Sequence, residues 1–266
     1  MLVLNAHLKA GSSLPADTDL SESEQKQLQD QIYDMLTLPP RGEGPAAFWR
    51  VFAAHHLADV AASIRNFSPA TQKHALGVAL SILCLLPDPS REAISYYRKF
   101  LRNAAVTKDI PTIIARAFVE GTPRMRPVDG GMHCSLIIDT LYWCDSALGD
   151  DGKASVDADV RASLAATLDS MLEPPSRAAA LRLPELFEMQ RLRRVLKEVE
   201  AMPGSFYLDV MRKFLEVPMN ICSGSMCKRA PEHSCSKCKT ARYCGQQCQT
   251  WHWKNGHNPC CFKTDY

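Results

Sequence analysis

The stretch that decides how this chain is read runs from Cys222 to Cys261: CSGSMCKRAPEHSCSKCKTARYCGQQCQTWHWKNGHNPCC. Its ligand-type residues fall into four short pairs, Cys222-x4-Cys227, Cys235-x2-Cys238, Cys244-x3-Cys248 and His257-x3-Cys261. A short pair lets two donors from one turn reach one ion at about 2.3 Å, and eight such donors make two tetrahedral Zn²⁺ sites. A segment of about 40 residues cannot bury a large apolar core. The metals would therefore supply most of its folding free energy, on the order of 10 kcal/mol or more per ion. Spacing alone shows the pairs and not which pairs share an ion. Cys260, beside Cys261, and His252, a Cys-x3-His step after Cys248, stand as alternative ligands. A site closed by four protein ligands has no open position for water or substrate, so the zincs are expected to be structural.

Outside this stretch the cysteines are sparse. Of 11 in the 266 residues, only Cys84, Cys134 and Cys144 lie elsewhere. Met1–Leu4 is too short for the apolar centre of a secretory signal. An odd, clustered set of cysteines then reads as a metal site in a reducing, intracellular compartment, with nucleus and cytoplasm unresolved. Charged residues make up 23% and hydrophobic residues 46%, the balance of a chain that buries a core. No run of about 18 apolar residues exists, so no membrane span is expected. The net charge of +2 exerts no strong bulk attraction on nucleic acid.

Residues 1–20 are small, polar and turn-rich and read as a mobile arm. Ser21-Glu-Ser-Glu24 has the spacing of a capping box, followed by a stripe of Leu28, Ile32, Met35 and Leu36. Helical signals then recur: from Pro45 to Val60, from Ser68-Pro69 to Leu86, from Asp88-Pro89 through Leu101, and from Asp109 to Val119. After a Pro/Gly-rich break at Gly121–Gly131 they continue around 132–147, 155–172, 184–201 and 205–217. Almost nothing alternates with the period of a strand. Residues 21–218 are therefore expected to be all-α. Pro89-Ser90-Arg91 and Pro175-Ser176-Arg177 lie two armadillo/HEAT periods apart, so the alternatives are such a helical stack and an irregular helical domain. Phe206, Val210, Phe214 and Val217 form a stripe expected to dock residues 219–266 onto the helices.

Residues 222–261 resemble a MYND-type zinc finger. The residues that carry the resemblance are Cys235-Ser-Lys-Cys238-Lys-Thr-Ala-Arg-Tyr243-Cys244, Cys248-Gln249, Trp253-Lys254-Asn255-Gly256-His257 and Cys261. Gly245 departs from the Ser that many members carry. His252 suits the related HIT-type finger, but Gln249 and Trp253 fit the MYND pattern better. The resemblance implies that Cys222, Cys227, Cys244 and Cys248 hold one zinc and Cys235, Cys238, His257 and Cys261 the other. It also implies that Gln249 and Trp253 help form a shallow cleft for proline-rich peptides of partner proteins.

The expected function is therefore a non-enzymatic interaction module or scaffold. The alternative is an enzyme whose unidentified active site lies in the helices, with the finger as a targeting module. No Asn-His-x-Cys or Gly-Glu-Glu-Leu stretch supports a SET methyltransferase. His55-His56, His133-Cys134, Cys84 and Cys144 read as packing residues. Asp129-Gly-Gly131 reads as a loop, with no strand before it to make a phosphate site. The arginines at 191, 193 and 194 are flanked by glutamates and read as an ion-paired solvated face. Residues 219–266 carry seven Lys/Arg and two Asp/Glu, but seven thiolates and two Zn²⁺ bring the net charge down to about +2, which argues against a DNA-binding finger.

Overall fold

The computed structural model describes residues 14, 15, 17–37, 44–91, 94–144, 153, 155–173 and 175–266. Its helices are α1 (Glu22–Thr37), α2 (Gly44–Asn66), α3 (Lys73–Cys84), α4 (Tyr96–Leu101), α5 (Ala104–Thr107), α6 (Ile110–Val119), α7 (Gly130–Trp143), α8 (Ala158–Leu172), α9 (Pro175–Ala178), α10 (Leu183–Ala201), α11 (Phe206–Glu216) and α12 (Gln246–His252). A two-residue antiparallel pair, β1 (His233–Ser234) and β2 (Arg242–Tyr243), lies in the Cys-rich stretch. The chain is all-α with a small C-terminal Cys/His unit, and among the described residues no helix is long and apolar enough to cross a membrane.

Local chemistry explains the element starts. Ser21 and Glu24 make a reciprocal capping box at α1: the Ser21 N–H donates to Glu24 Oε2 at 2.8 Å and the Glu24 N–H to Ser21 Oγ at 3.3 Å. Leu28 and Ile32 on the α1 stripe are buried. Residues 1–13 and 16 of the expected arm lie outside the described residues. Its end is tied to the helices, because Asp19 accepts the N–H groups of His74 and Ala75 and so caps α3 from a distance in sequence.

Between the two expected arrangements, the packing gives an irregular helical domain. In a solenoid each repeat touches only its neighbours. Here α7 is packed against by α3, α4, α6, α10 and α11, and it buries Leu136, Ile137, Ile138, Leu141 and Trp143. The Pro89-Ser90-Arg91 half of the repeat does not open a helix. Asp88 turns the chain by accepting from Ser90, and α4 starts later, where the Ser95 hydroxyl caps Arg98 N–H at 3.1 Å. Asp129-Gly-Gly131 is not a loop either. Asp129 accepts from Met132 N–H at 2.8 Å as the cap of α7, and both glycines are helical. A Cβ on Gly131 would sit 2.8 Å from Glu185 Cα, so the glycine permits α7 to meet the start of α10 backbone to backbone.

The α11 stripe also departs from expectation. Phe214 and Val217 are 71% and 70% exposed, and Phe206 and Val210 also face solvent. The helix packs on α7 through its other face: Leu208 is buried, and Arg212 donates to the carbonyls of Tyr142 at 2.7 Å and Cys144 at 2.8 Å. A helix with two apolar faces can bury either, and these carbonyls near the C-terminal end of α7 draw the Arg212 side in. The Cys-rich unit is instead anchored by its last seven residues, 260–266, between α2 and α4. Tyr96 Oη donates to the Cys260 carbonyl at 2.9 Å and accepts the Phe262 N–H at 2.7 Å. Phe262 packs against His55 and Tyr96, Tyr266 packs edge-on against Phe100, and the Tyr266 hydroxyl donates to the Ala53 carbonyl.

Candidate metal centre

The ligand pairs interleave because a hairpin stands between them. Cys222 and Cys227 come from the loop after a 3-10 turn at Val217–Met219. Cys235 follows β1 and Cys238 lies in the turn before β2. Cys244 leaves β2, and Cys248 is carried by α12. The hairpin is tied by the Glu232 N–H to Tyr243 and the Cys235 N–H to Ala241, both at 2.8 Å. It sends the first and third pairs to one side, and the second and fourth to the other. Cys222, Cys227, Cys244 and Cys248 form one group and Cys235, Cys238, His257 and Cys261 a second, with all ligand atoms of a group within 4.8 Å of one another.

The spacing within each group fits a tetrahedral ion. At a Zn–S bond of about 2.3 Å the edge of the tetrahedron is about 3.8 Å. Sγ–Sγ separations are 3.7 Å for Cys227–Cys244, Cys244–Cys248 and Cys235–Cys261, and Cys238 Sγ lies 3.7 Å from His257 Nε2. Disulfides would need about 2.05 Å. Each group could therefore hold one zinc ion.

Backbone donors also converge on the sulfurs. Gly224 N–H and Cys244 N–H point at Cys222 Sγ from 3.3 and 3.4 Å, and Thr240 N–H at Cys238 Sγ from 3.4 Å. The thiols pull apart in acidity. The backbone and then the side chain of Arg229 lower Cys227, while desolvation and the neighbouring cysteines raise Cys244 and Cys261. Such a crowd of sulfurs cannot ionise together without a cation, and a bound divalent metal reverses that penalty. Gly224 is part of the site, although the spacing of ligands gives no sign of it: a Cβ there would lie 2.8 Å from Cys248 Cβ and 2.9 Å from its sulfur.

The alternative ligands lie outside both groups. Cys260 Sγ accepts from Arg50 Nη1 at 3.1 Å, and His252 Nδ1 meets the Tyr243 hydroxyl at 3.0 Å. His233 is exposed on β1. The His257 ring stacks on His252 with centroids 5.0 Å apart, and Trp253 meets it edge-on at 5.8 Å. Trp253 remains 37% exposed. Gln249, one helical turn earlier, is half-buried. Trp251, 46% exposed, lines a shallow depression of about 480 Å³ with Gln246, Gln247, Thr250, Lys254 and Asn255.

His133, Cys134 and Cys144 are buried packing residues. His133 Nε2 lies 3.0 Å from the Ile114 carbonyl and its ring packs on Phe118. Burial raises the Cys134 thiol well above its ordinary value, so it is not poised as a nucleophile. Arg191 pairs with Glu188 at 3.0 Å, as the flanking acids suggested, whereas Arg193 pairs with Asp169 and Glu173 at the end of α8.

No protein-family model matches the chain. No solved structure matches it. Over 76 residues, 29% of the chain, it is 37% identical to ubiquitin carboxyl-terminal hydrolase 19 of Arabidopsis thaliana. Over 32 residues, 12% of the chain, it is 50% identical to ubiquitin carboxyl-terminal hydrolase 17 of the same plant. These matches cover 11% and 4% of the two hydrolases, so the chain spans only a small part of these relatives.

Proposed function

We propose that residues 222–261 are a MYND-type finger and that the chain is an intracellular interaction scaffold, without catalysis of its own, whose finger captures proline-rich segments of partner proteins. The observation behind this reading is the pair of interleaved four-ligand groups, each with a full tetrahedral ligand set, with Gln249 following Cys248 of the first group and Trp253, one turn later, against His257 of the second. An exposed indole offers a flat surface for a proline ring. A proline-rich strand is already extended and loses little entropy on binding. The Gln249 amide can both donate to and accept from a peptide main chain.

The test is a fluorescence titration with a Pro-x-Leu-x-Pro peptide, where a surface this small leads us to expect roughly micromolar affinity. Trp253→Ala should abolish binding with both zincs retained. Zinc loss in that variant would make Trp253 a support for His257 and nothing more. Retained zinc and retained peptide would move the cleft, with Trp251 the next residue to replace.

One observation favours the enzymatic alternative. A cleft of about 280 Å³ among the helices brings together Cys84, Asp88, Ser135, Asp139, Glu188 and Arg191, and burial raises Asp139 well above the ordinary carboxylate range. Burial raises the Cys84 thiol as well, which leaves it protonated and a poor nucleophile at neutral pH. A fluorogenic ubiquitin carboxyl-terminal substrate tests the activity named for the two relatives. We expect no turnover; turnover lost in Cys84→Ser would overturn the scaffold reading.

A further inference from the structure

The described surface holds a second concave site, away from Gln249 and Trp253. A cleft of about 470 Å³ separates α4 from the finger. Arg98 and Lys99 line it from α4, Arg102 from the position that caps the end of that helix, Lys239 and Arg242 from the finger, and Glu216 is the single acid among the lining residues. In a chain whose net charge is only +2, this is a strong local concentration of cations. A concave wall focuses such a field on whatever enters.

The cations divide into two sets. Arg98 and Lys99 serve the fold: Arg98 donates to the Pro89 carbonyl and lies 5.7 Å over the Trp143 ring, and Lys99 donates to the Cys238 carbonyl at 3.2 Å and to Thr264. Arg102, Lys239 and Arg242 stand exposed at the mouth. Arg102 already demonstrates what the mouth accepts, since its Nη1 donates to the Glu216 carboxylate at 2.6 Å. Arg242 reaches across to Asn220 Oδ1 at 2.7 Å.

We propose that this cleft docks an acidic peptide segment, with Asp and Glu carboxylates received by Arg102, Lys239 and Arg242. The volume is that of a site for a short segment. The lining argues against single-stranded nucleic acid, because no aromatic ring lines the cleft to stack a base. The site joins the helices to the finger, so an occupant would contact both and its binding would depend on their docking. The inference does not rest on the Gln249–Trp253 reading.

The experiment uses the full zinc-loaded chain and a fluorescein-labelled octapeptide of alternating Asp and Glu, followed by anisotropy. Saturable binding is expected, weakening as salt is raised. Lys239→Glu combined with Arg242→Glu should weaken it by about tenfold or more. Arg102→Glu, placed on the helical wall away from the zinc ligands, should also weaken it, and it decides the matter where the double variant loses metal. Glu216→Gln releases Arg102 from its internal partner and should tighten binding by about threefold, a gain that damage to the fold does not produce. Trp253→Ala should leave this affinity unchanged, so the two sites fail separately. The proposal is overturned by absence of saturable binding, by equal affinity in the wild type and Arg102→Glu, or by an oligothymidine or inorganic phosphate displacing the peptide more effectively than unlabelled peptide does.

Discussion

Helix α7 and the finger hold themselves together in opposite ways. In α7, eleven of fourteen residues are buried, and apart from the two glycines, His133 and Thr140 they are apolar or sulfur-bearing. Between residues 222 and 261 the buried set is Cys222, Gly224, Cys235, Cys238, Ala241, Tyr243, His257 and Cys261. Five of these eight are zinc ligands, and Gly224 is there to let Cys248 approach. The helices thus rest on apolar burial spread over many contacts, each replaceable at modest cost. The finger rests on a few bonds to an ion, none of which can be removed quietly. The two regions should therefore respond to different insults, and that expectation can be broken.

The largest effect should come from removing metal. Chelation, or Cys235→Ser, should unfold residues 222–261, since the zincs contribute on the order of 10 kcal/mol or more each. Far-UV dichroism of the helices should change little. Metal analysis should return two zincs per wild-type chain. Simultaneous loss of finger and helices at low chelator concentration would show one cooperative unit, bound together by Tyr96, Tyr266 and Lys99.

The reverse insult is Ile137→Ala in α7. Ile137 is fully buried, and truncation there should cost about 2–5 kcal/mol, lowering the melting temperature of the helices. Zinc content should stay at two. Release of zinc by this core truncation at ambient temperature would sharpen the comparison into dependence of the finger on the helices.

Acid releases zinc from the finger by protonating its ligands, and within the helices a separate pH effect falls on one histidine. Burial, aided by the charge of Arg124, lowers the His133 imidazole to about 4. An unfolded histidine titrates near 6.5, so between these values the unfolded chain binds more protons than the folded one. Helix stability should be full above about 6.5 and should fall by about 3 kcal/mol as pH drops toward 4. His133→Gln removes the titration, and urea unfolding of the helices across that range should lose this part of its slope. An unchanged slope would assign the acid sensitivity to other groups.

The smallest expected effect lies at the junction. Tyr96→Phe removes one hydroxyl that serves both the Cys260 carbonyl and the Phe262 N–H, at a cost of about 1–3 kcal/mol. Proteolysis at 262–266 should accelerate, with zinc and helix content held. An unaltered cleavage rate would mean that the packing of Phe262 and Tyr266 suffices to hold the tail.

What the sequence determined by itself was whatever depends on neighbours along the chain. Helix over strand followed from apolar period and caps, as at Ser21-Glu-Ser-Glu24, and four ligand pairs followed from spacing, because a chelating turn is a local object. The resemblance supplied the interleaving that spacing left open. The tertiary structure decided everything set by distant partners. Asp19 caps a helix more than fifty residues away, and Asp129-Gly-Gly131 became a helix start because α10 needed backbone approach. The α11 stripe was a sound amphipathic face, yet carbonyls near the end of α7 captured Arg212 and turned Phe214 and Val217 outward. The anchor of the finger was a hydroxyl on Tyr96 meeting a tail 164 residues later. Local pattern shows that a face is apolar or that a side chain can bind metal; which surface covers that face is a competition among partners far apart in sequence, settled only when the chain packs.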